Sequence, residues 1–410
     1  MKAAGFAGLS LVSPLAARTA RAEPYEGRFW IFVNAGGGWD PTSLCDPKGA
    51  TSEDDPDPMN HYLRDQIGQA GNISYAPAPG NQEFFDKYYQ RLTIINGLDT
   101  ATNGHDSGSR HIWSGRLAEG YPSLAALLAG SLAPTKPLAF ISNGGYDLTQ
   151  GLVAPTRTGS TGALGRIAYP NRPDPGDGER SYHLDSTMER IQLAQQERLA
   201  AKRERMGLPN RRASMNQLFL ATQGKNEIRR LTEFLPDLDG SNNPLLRQAQ
   251  LAIAAYRAGV SVSANLNIGG FDTHGDHDNR SFPRMQMLLQ GVDFIMEEAA
   301  RQGVGDKVMV AVGSDFGRTP GYNGDNGKDH WSITSMMFIG AGIPGNRVIG
   351  STDDGHVPIP VNPTTLASDP NGIRIEPKHV HGALRRLAGV DGSDAARLYP
   401  IGEEPLALFG

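Results

Sequence analysis

A single cysteine, Cys45, stands in 410 residues, so no intrachain disulfide framework holds this chain and a packed core must do so. Positive charge is not in excess either: 39 Lys and Arg against 44 Asp and Glu leave a net charge of -5. A general nucleic-acid binder needs a broad basic footprint for phosphate backbones, so small molecules or neutral polymers are the better partners. Beyond the N-terminus no apolar run approaches the roughly twenty residues that cross a bilayer. The sequence has no tandem repeat and no low-complexity tail, which removes solenoid architectures. What is present is an ordinary globular composition, 39% apolar with 50 glycines, at a length that large α/β domains reach as one folding unit.

Residues 1–22 carry Lys2, an apolar stretch from Ala3 to Val12, and Ala20-Arg21-Ala22, a small-x-small pattern suited to signal cleavage. They read as an export signal, with the mature chain beginning near Glu23, no membrane span after its removal, and a periplasmic or extracellular destination. The short positive region matches the tail of a twin-arginine signal whose Arg-Arg pair lies upstream. A frayed N-terminal helix is the competing reading.

Five apolar runs of strand length end alike. Phe29–Val33 leads through Gly36-Gly37-Gly38 to Asp40, Leu92–Ile95 through Gly97 to Asp99, and Leu138–Ile141 through Gly144-Gly145 to Asp147. Val260–Ile268 leads through Gly269-Gly270 to Asp272, and Val308–Val312 through Gly313 to Asp315. Near-continuous apolar runs are what strands buried on both faces of a parallel sheet look like, and such sheets place their chemistry beyond the strands' carboxyl ends. The carboxylates are therefore expected along one edge, although Gly-x-Asp also serves plain turns and helix caps.

Helical signals fill the intervals. Ser186-x-x-Glu189 is a capping box opening a charged segment that ends near Met206, before Gly207 and Pro209. With the Pro/Gly-rich stretch from Pro170 to Gly178, it marks 150–245 as a mainly helical insertion in an α/β domain spanning 23–410. A solvated arm is the first reading of this region, a lid or partner surface the second. Residues 281–302 predict an amphipathic helix with Phe282, Met285, Leu288, Leu289, Val292, Ile295 and Met296 facing the core. Pro377–Leu387 reads as a closing helix with proline in its first turn.

The densest chemistry is Gly269-Gly270-Phe271-Asp272-Thr273-His274-Gly275-Asp276-His277-Asp278, an imidazole and carboxylate mixture that borderline divalent cations prefer. Gly313-Ser314-Asp315-Phe316-Gly317-Arg318-Thr319 follows another strand, and Lys328-Asp329-His330-Trp331 comes soon after. Arg318 could bind a phosphate or sulfate oxygen pair bidentately, or neutralise the surrounding carboxylates.

Phe-Asp-Thr-His, Ser-Asp-Phe-Gly-Arg-Thr and Asp-His after an Asn/Gly-rich loop, in this order, resemble the alkaline phosphatase and sulfatase superfamily. More closely they resemble its exported bacterial branch, the domain-of-unknown-function 1501 family. The likeness extends to Gly36-Gly37-Gly38-Trp39-Asp40, to Asn103–Arg116 and to Pro377–Gly389, and is weakest over 150–245. It implies a doubly wound, mixed or mostly parallel sheet of alkaline phosphatase-like type, carrying one or two divalent ions (Zn, Mn, Mg or Ca) at its carboxyl edge. In that family pattern Asp40 matches the first-strand metal carboxylate. Asp272 and His274 match the Asp/His pair of one site with His330 as its distal imidazole, and Asp315 matches the carboxylate of the other. Phe316 stands where phosphatases usually place a His, which leaves the second site poor in nitrogen or absent, and His277 competes with His274.

In related phosphatases the nucleophile is a Ser or Thr at a helix N-terminus beside the metal. Thr42-Ser43 after Asp40 competes for that role with Ser107, whose segment Asn103–His111 resembles the serine segment of metal-dependent phosphoglycerate mutases and brings His111 with it. His105 and His111 also read as helix-cap groups or as outer supports of metal ligands. Cys45 lies in Leu-Cys-Asp-Pro and not in a Cys-x-Pro-x-Arg motif, so a formylglycine nucleophile is not expected. The reading is an exported metal-dependent hydrolase of small-molecule or glycan esters of phosphate or sulfate, with a Ser/Thr hydroxyl or activated water as nucleophile. The alternatives are a noncatalytic cell-envelope binding protein on the same fold and a phosphomutase or transferase.

Overall fold

A computed structural model of the protein describes residues 23–157, 166, 168–174, 178–208, 211, 225–402 and 406–410. The expected signal at 1–22 lies outside the described residues. All five predicted runs are strands of one eight-stranded sheet: β1 (Phe29–Gly36), β2 (Leu92–Asp99), β3 (Phe140–Ser142), β5 (Ser263–Gly269) and β6 (Val308–Ser314). The others are β4 (Pro155–Arg157), β7 (Ile333–Gly340) and β8 (Arg347–Ile349). The sheet order is β8-β2-β7-β6-β1-β5-β3-β4. β1 pairs in parallel with both β5 and β6, and β3 with β4 and β5, whereas β7 is antiparallel to β2 and to β6. The sheet is thus mixed and mostly parallel.

Continuous apolar strands bury both faces. On β1, Phe29, Ile31, Val33 and Ala35 enter one core layer while Trp30 and Phe32 enter the other. The first layer receives helices α1 (Asn81–Tyr88), α6 (Pro244–Arg257) and α7 (His277–Arg301). The second receives α2 (His105–Ser114), α3 (Leu124–Leu132) and α8 (Pro377–Leu387). The predicted stripe of α7 is buried from Met285 to Met296, and Phe282 is only half-buried at its edge. Each buried aliphatic side chain of that stripe contributes about 1.5–3 kcal/mol of transfer free energy.

Within 150–245, β4 is an edge strand of the main sheet. Helices α4 (Asp185–Arg205) and α5 (Lys225–Phe234) follow it. α4 is exposed along most of its length, as a charge-dominated helix without an apolar stripe should be. No helix among the described residues is long and apolar enough to cross a membrane.

His111, His356, His379 and His381 are all buried. Burial lowers the pKa of His111, His356 and His381; that of His381, whose Nε2 donates to the Ile112 carbonyl at 2.7 Å, falls from 6.5 to about 3. Between those two values the unfolded chain binds a proton that the folded chain refuses. The stability from neutral His381 is therefore complete above pH ~6.5 and is lost as pH falls toward the folded value. Urea unfolding should lose about 1.4 kcal/mol per pH unit to this group below pH ~6. His381→Gln should flatten the decline, and an unchanged slope would remove His381 as its cause.

Candidate metal centre

Parallel strands end together, so the turns after β1, β2, β5 and β6 meet at one edge of the sheet. Two of the five carboxylates there serve turns: Asp99 Oδ1 accepts from Ala101 N (2.8 Å), and Asp147 Oδ2 accepts from Ser142 Oγ (2.7 Å) and pairs with Arg157 (3.0 Å). Of the other three, Asp272 and Asp315 meet partly exposed imidazoles and Asp40 does not.

Asp315, just past β6, is buried and fully held. Its Oδ1 accepts from Gly37 N (3.0 Å), Gly38 N (2.7 Å) and Ser314 Oγ (2.9 Å), and its Oδ2 accepts from His105 Nδ1 at 2.5 Å. Gly37 and Gly38 present both amides by adopting φ of 120° and 81°, which a side chain resists, and a Cβ on Gly37 would meet Asp272 N at 2.5 Å. His105 is the first residue of α2, and that helix seats against the Asp315 turn through Gly108, where a Cβ would strike the Asp315 carbonyl at 2.3 Å.

His330 arrives by a different route. β7 runs against its neighbours, so its N-terminal end lies at the edge where the parallel strands finish, and Ile333 pairs with Asp99. Immediately before it, His330 and Trp331 form a short antiparallel ribbon with Arg318 and Gly317. His330 Nδ1 donates to the Asn103 carbonyl (2.8 Å), and His274 Nδ1 donates to Asp329 Oδ1 (2.7 Å).

Each of these three imidazoles gives its Nδ1 proton to a carbonyl or carboxylate, groups that only accept, so the neutral ring keeps a bare Nε2. The three Nε2 atoms face one carboxylate: His105 is 3.5 Å from Asp272 Oδ2, His274 3.0 Å and His330 3.1 Å from Asp272 Oδ1. Ligand atoms of His105, Asp272 and His330 all lie within 4.8 Å of one another, and His274 Nε2 adjoins them at 2.9 Å from His330 Nε2. Lone pairs that close repel unless a cation or proton lies between them, and imidazoles fixed through Nδ1 are how proteins present ligands to a metal. The residues fit a divalent cation. Burial works to raise the Asp272 pKa, but the hydrogen bond and charge of the Arg318 guanidinium hold that carboxyl well below the usual range. The His274 contact lowers Asp329 likewise.

Other expected residues stand elsewhere. Asp40 and His277 do not join the imidazole cluster. Asp40 is fully buried, its Oδ2 accepting from Lys328 Nζ (2.7 Å) and Ser43 Oγ (3.0 Å) and its Oδ1 from Thr42 Oγ1 (2.6 Å). His277 Nε2 lies 3.3 Å from Asp40 Oδ2 without the alignment of a hydrogen bond, and Nδ1 bonds Thr273 Oγ1 (2.6 Å). Asp315 reaches the centre through His105, not directly. Arg318 is fully buried and its donors are spent within the chain, on the carbonyls of Gly37, Gly38 and Lys328 and on Asp272 Oδ1 (2.8 Å). It neutralises carboxylate charge and locks three strand-end loops together.

His111 is buried beneath the edge with Nδ1 on the Thr100 carbonyl (2.7 Å), apart from Asp272. Thr42 and Ser43 are buried under Asp40, which closes them to solvent. Ser107 stays partly exposed on the first turn of α2, its Oγ 2.6 Å from Thr102 Oγ1 and donating to the Gly104 carbonyl (3.0 Å). The residue underestimated from sequence is His105. Its signal, an imidazole opening a helix directly after a strand end, reads equally as a cap.

A mixed, mostly parallel α/β sheet with three imidazoles and a carboxylate gathered at its carboxyl edge defines the class. The chain belongs to the family described as Protein of unknown function (DUF1501), whose model matches residues 29–370. No curated protein matches it. Among solved structures it is similar to the PsFucS1 sulfatase from Pseudoalteromonas sp., with 10% identity, 90% of this chain and 69% of that one covered, and a TM-score of 0.41. It is also similar to the lipoteichoic acid synthase LtaP from Listeria monocytogenes (8% identity, 90% and 74% covered, TM-score 0.40). A TAB5 alkaline phosphatase mutant with magnesium bound gives 9% identity, 90% and 99% covered, and a TM-score of 0.37. At such values the chemistry must be argued from the side chains themselves.

Proposed function

We propose that this protein is an exported hydrolase of phosphate or sulfate esters that works with a divalent cation held by His105, Asp272 and His330, with His274 adjoining. The support is the orientation of the imidazoles: each is anchored at Nδ1 and each turns Nε2 toward Asp272. Imidazole nitrogen with one carboxylate suits Zn2+ first and Mn2+ next. When bound, such a cation supplies Lewis acidity toward an ester oxygen. The chain's own residues do the positioning. Asp315, Asp329 and the Asn103 carbonyl fix the rings, and Arg318 offsets the charge of Asp272 from below. Ser107 is the least buried hydroxyl among the candidates, partly exposed two residues beyond His105, where it can meet a substrate on exchanging its bond to Thr102. Export rests on the pattern at 1–22.

The test is metal content by mass spectrometry on the purified protein together with turnover of aryl phosphate and aryl sulfate esters. The expected result is metal-dependent turnover of one ester, abolished in His330→Ala. Bound metal with no turnover of either would sink the hydrolase and favour the noncatalytic binding protein, a reading supported by the engagement of Ser107 and Arg318 with the chain itself. Passage of the group to a labelled acceptor alcohol would identify a transferase.

A further inference from the structure

Behind the imidazole cluster lies a second set of groups of the kind that holds cations. Asp40 Oδ2, Asn60 Oδ1 and Thr42 Oγ1 converge on one point, and that point is the Lys328 ammonium, at 2.7, 2.8 and 3.4 Å respectively. His277 Nε2, itself buried and without a hydrogen-bond partner, borders the same Asp40 oxygen at 3.3 Å. The Tyr322 ring covers the ammonium at 5.0 Å. Asp40, Thr42 and Lys328 are 0% exposed and Asn60 and His277 1%.

A carboxylate, an amide oxygen, a hydroxyl and an imidazole nitrogen make a donor set for a hard divalent ion. Here the charge of the carboxylate and the facing lone pairs of the three oxygens are already met, because the ammonium has three protons and those oxygens take them, leaving only His277 Nε2 unpartnered. A divalent ion in the same place would put two positive groups in one buried pocket against a single carboxylate, which the low-dielectric interior makes costly. The main-chain amide of Lys328 donates to the Thr273 carbonyl (3.0 Å) and its carbonyl accepts from Arg318 Nη1 (2.8 Å), so the backbone that carries the ammonium is fixed at both faces.

We propose that Lys328 is an internal cation: its ammonium fills the place beside Asp40 that a second divalent ion would take, so that the chain holds one divalent ion only, at the imidazole cluster. The proposal concerns metal stoichiometry and holds whether or not the protein turns over an ester. Full-length protein equilibrated with Zn2+ and Mn2+, then freed of unbound ions, is expected to retain about one divalent ion per chain. Asp40→Asn should keep that content. Lys328→Ala removes the ammonium and its stem, leaves the oxygen donors in place, and should take up about one further ion, Mn2+ being the probe, with a Mn2+-dependent rise in melting temperature that the wild-type protein lacks.

Two ions on the wild-type chain would overturn the proposal. So would loss of the ion in Asp40→Asn, or a folded Lys328→Ala protein with neither extra ion nor Mn2+-dependent stabilisation. Should Lys328→Ala fail to fold, the wild-type and Asp40→Asn contents decide the matter. These readouts are independent of turnover, so failure here and failure of the hydrolase reading are distinguishable.

Discussion

His330→Ala should lower divalent-cation affinity by about 100-fold or more while leaving the fold intact. His330 is a ligand candidate whose ring is only partly buried and whose one anchoring bond, to the Asn103 carbonyl, exposes nothing costly when lost. His105→Ala should act the same way. Asp315→Asn and Asp329→Asn test the mechanism behind the arrangement, because each leaves the imidazole in place but weakens the acceptor that fixes its tautomer and orientation. Losses of about 10–100-fold are expected for such supports. Competition of each variant against a fluorescent chelator gives the order directly. Equal affinities for wild type and His330→Ala would mean that the cluster is not a metal centre.

Arg318→Met should destabilise the folded protein by about 3–5 kcal/mol, the range found when one partner of a buried charged network is removed. The guanidinium joins the loop after β1, through Gly37 and Gly38, to the loop after β5, through Asp272, and to the strap carrying Lys328. Methionine fills much of the volume and satisfies none of those acceptors, so the buried carbonyls of Gly38 and Lys328, and the part-buried Gly37 carbonyl and Asp272 carboxylate, lose their donor. Arg318→Lys should recover only part of the loss, since an ammonium lacks the planar fork that reaches all of them. Urea unfolding curves at constant slope measure both effects. A change under about 1 kcal/mol in Arg318→Met would mean the loops hold one another without it.

The parallel part of this sheet was legible because burial on both faces writes itself as unbroken apolar runs, and five such runs are strands. Asp272, Asp315 and His274 could be gathered from the same logic, since a shared edge follows from shared direction, whereas His330 was joined to them by the family resemblance. The strand β7 escaped that logic. Reversed in direction, β7 sends its C-terminal end to the opposite edge, so no Gly-x-Asp turn follows it, and the residue it brings to the site comes before it. His105 was ambiguous because the same imidazole at the same helix start can cap or coordinate; in the structure its Nδ1 is held by Asp315 Oδ2 and its Nε2 faces Asp272. Asp40 was assigned to the cation set by its strand end. The partner that takes it, Lys328, lies 288 residues later and carries no spacing signal.

The reversed strand also shapes what the rim can become. Between Arg318 and His330 the chain leaves the edge and returns to it as a hairpin whose two feet are paired to each other. Its tip is tied to the loop after β5: the Asp325 and Asn326 carbonyls accept the amides of Asp276 and His277, and Asn323 Nδ2 donates to the His274 carbonyl and to Asp329 Oδ1. The length of this excursion and the placement of the His274 ring are therefore set together, because the same hairpin supplies both the clasp on the His274 loop and the carboxylate that anchors its imidazole.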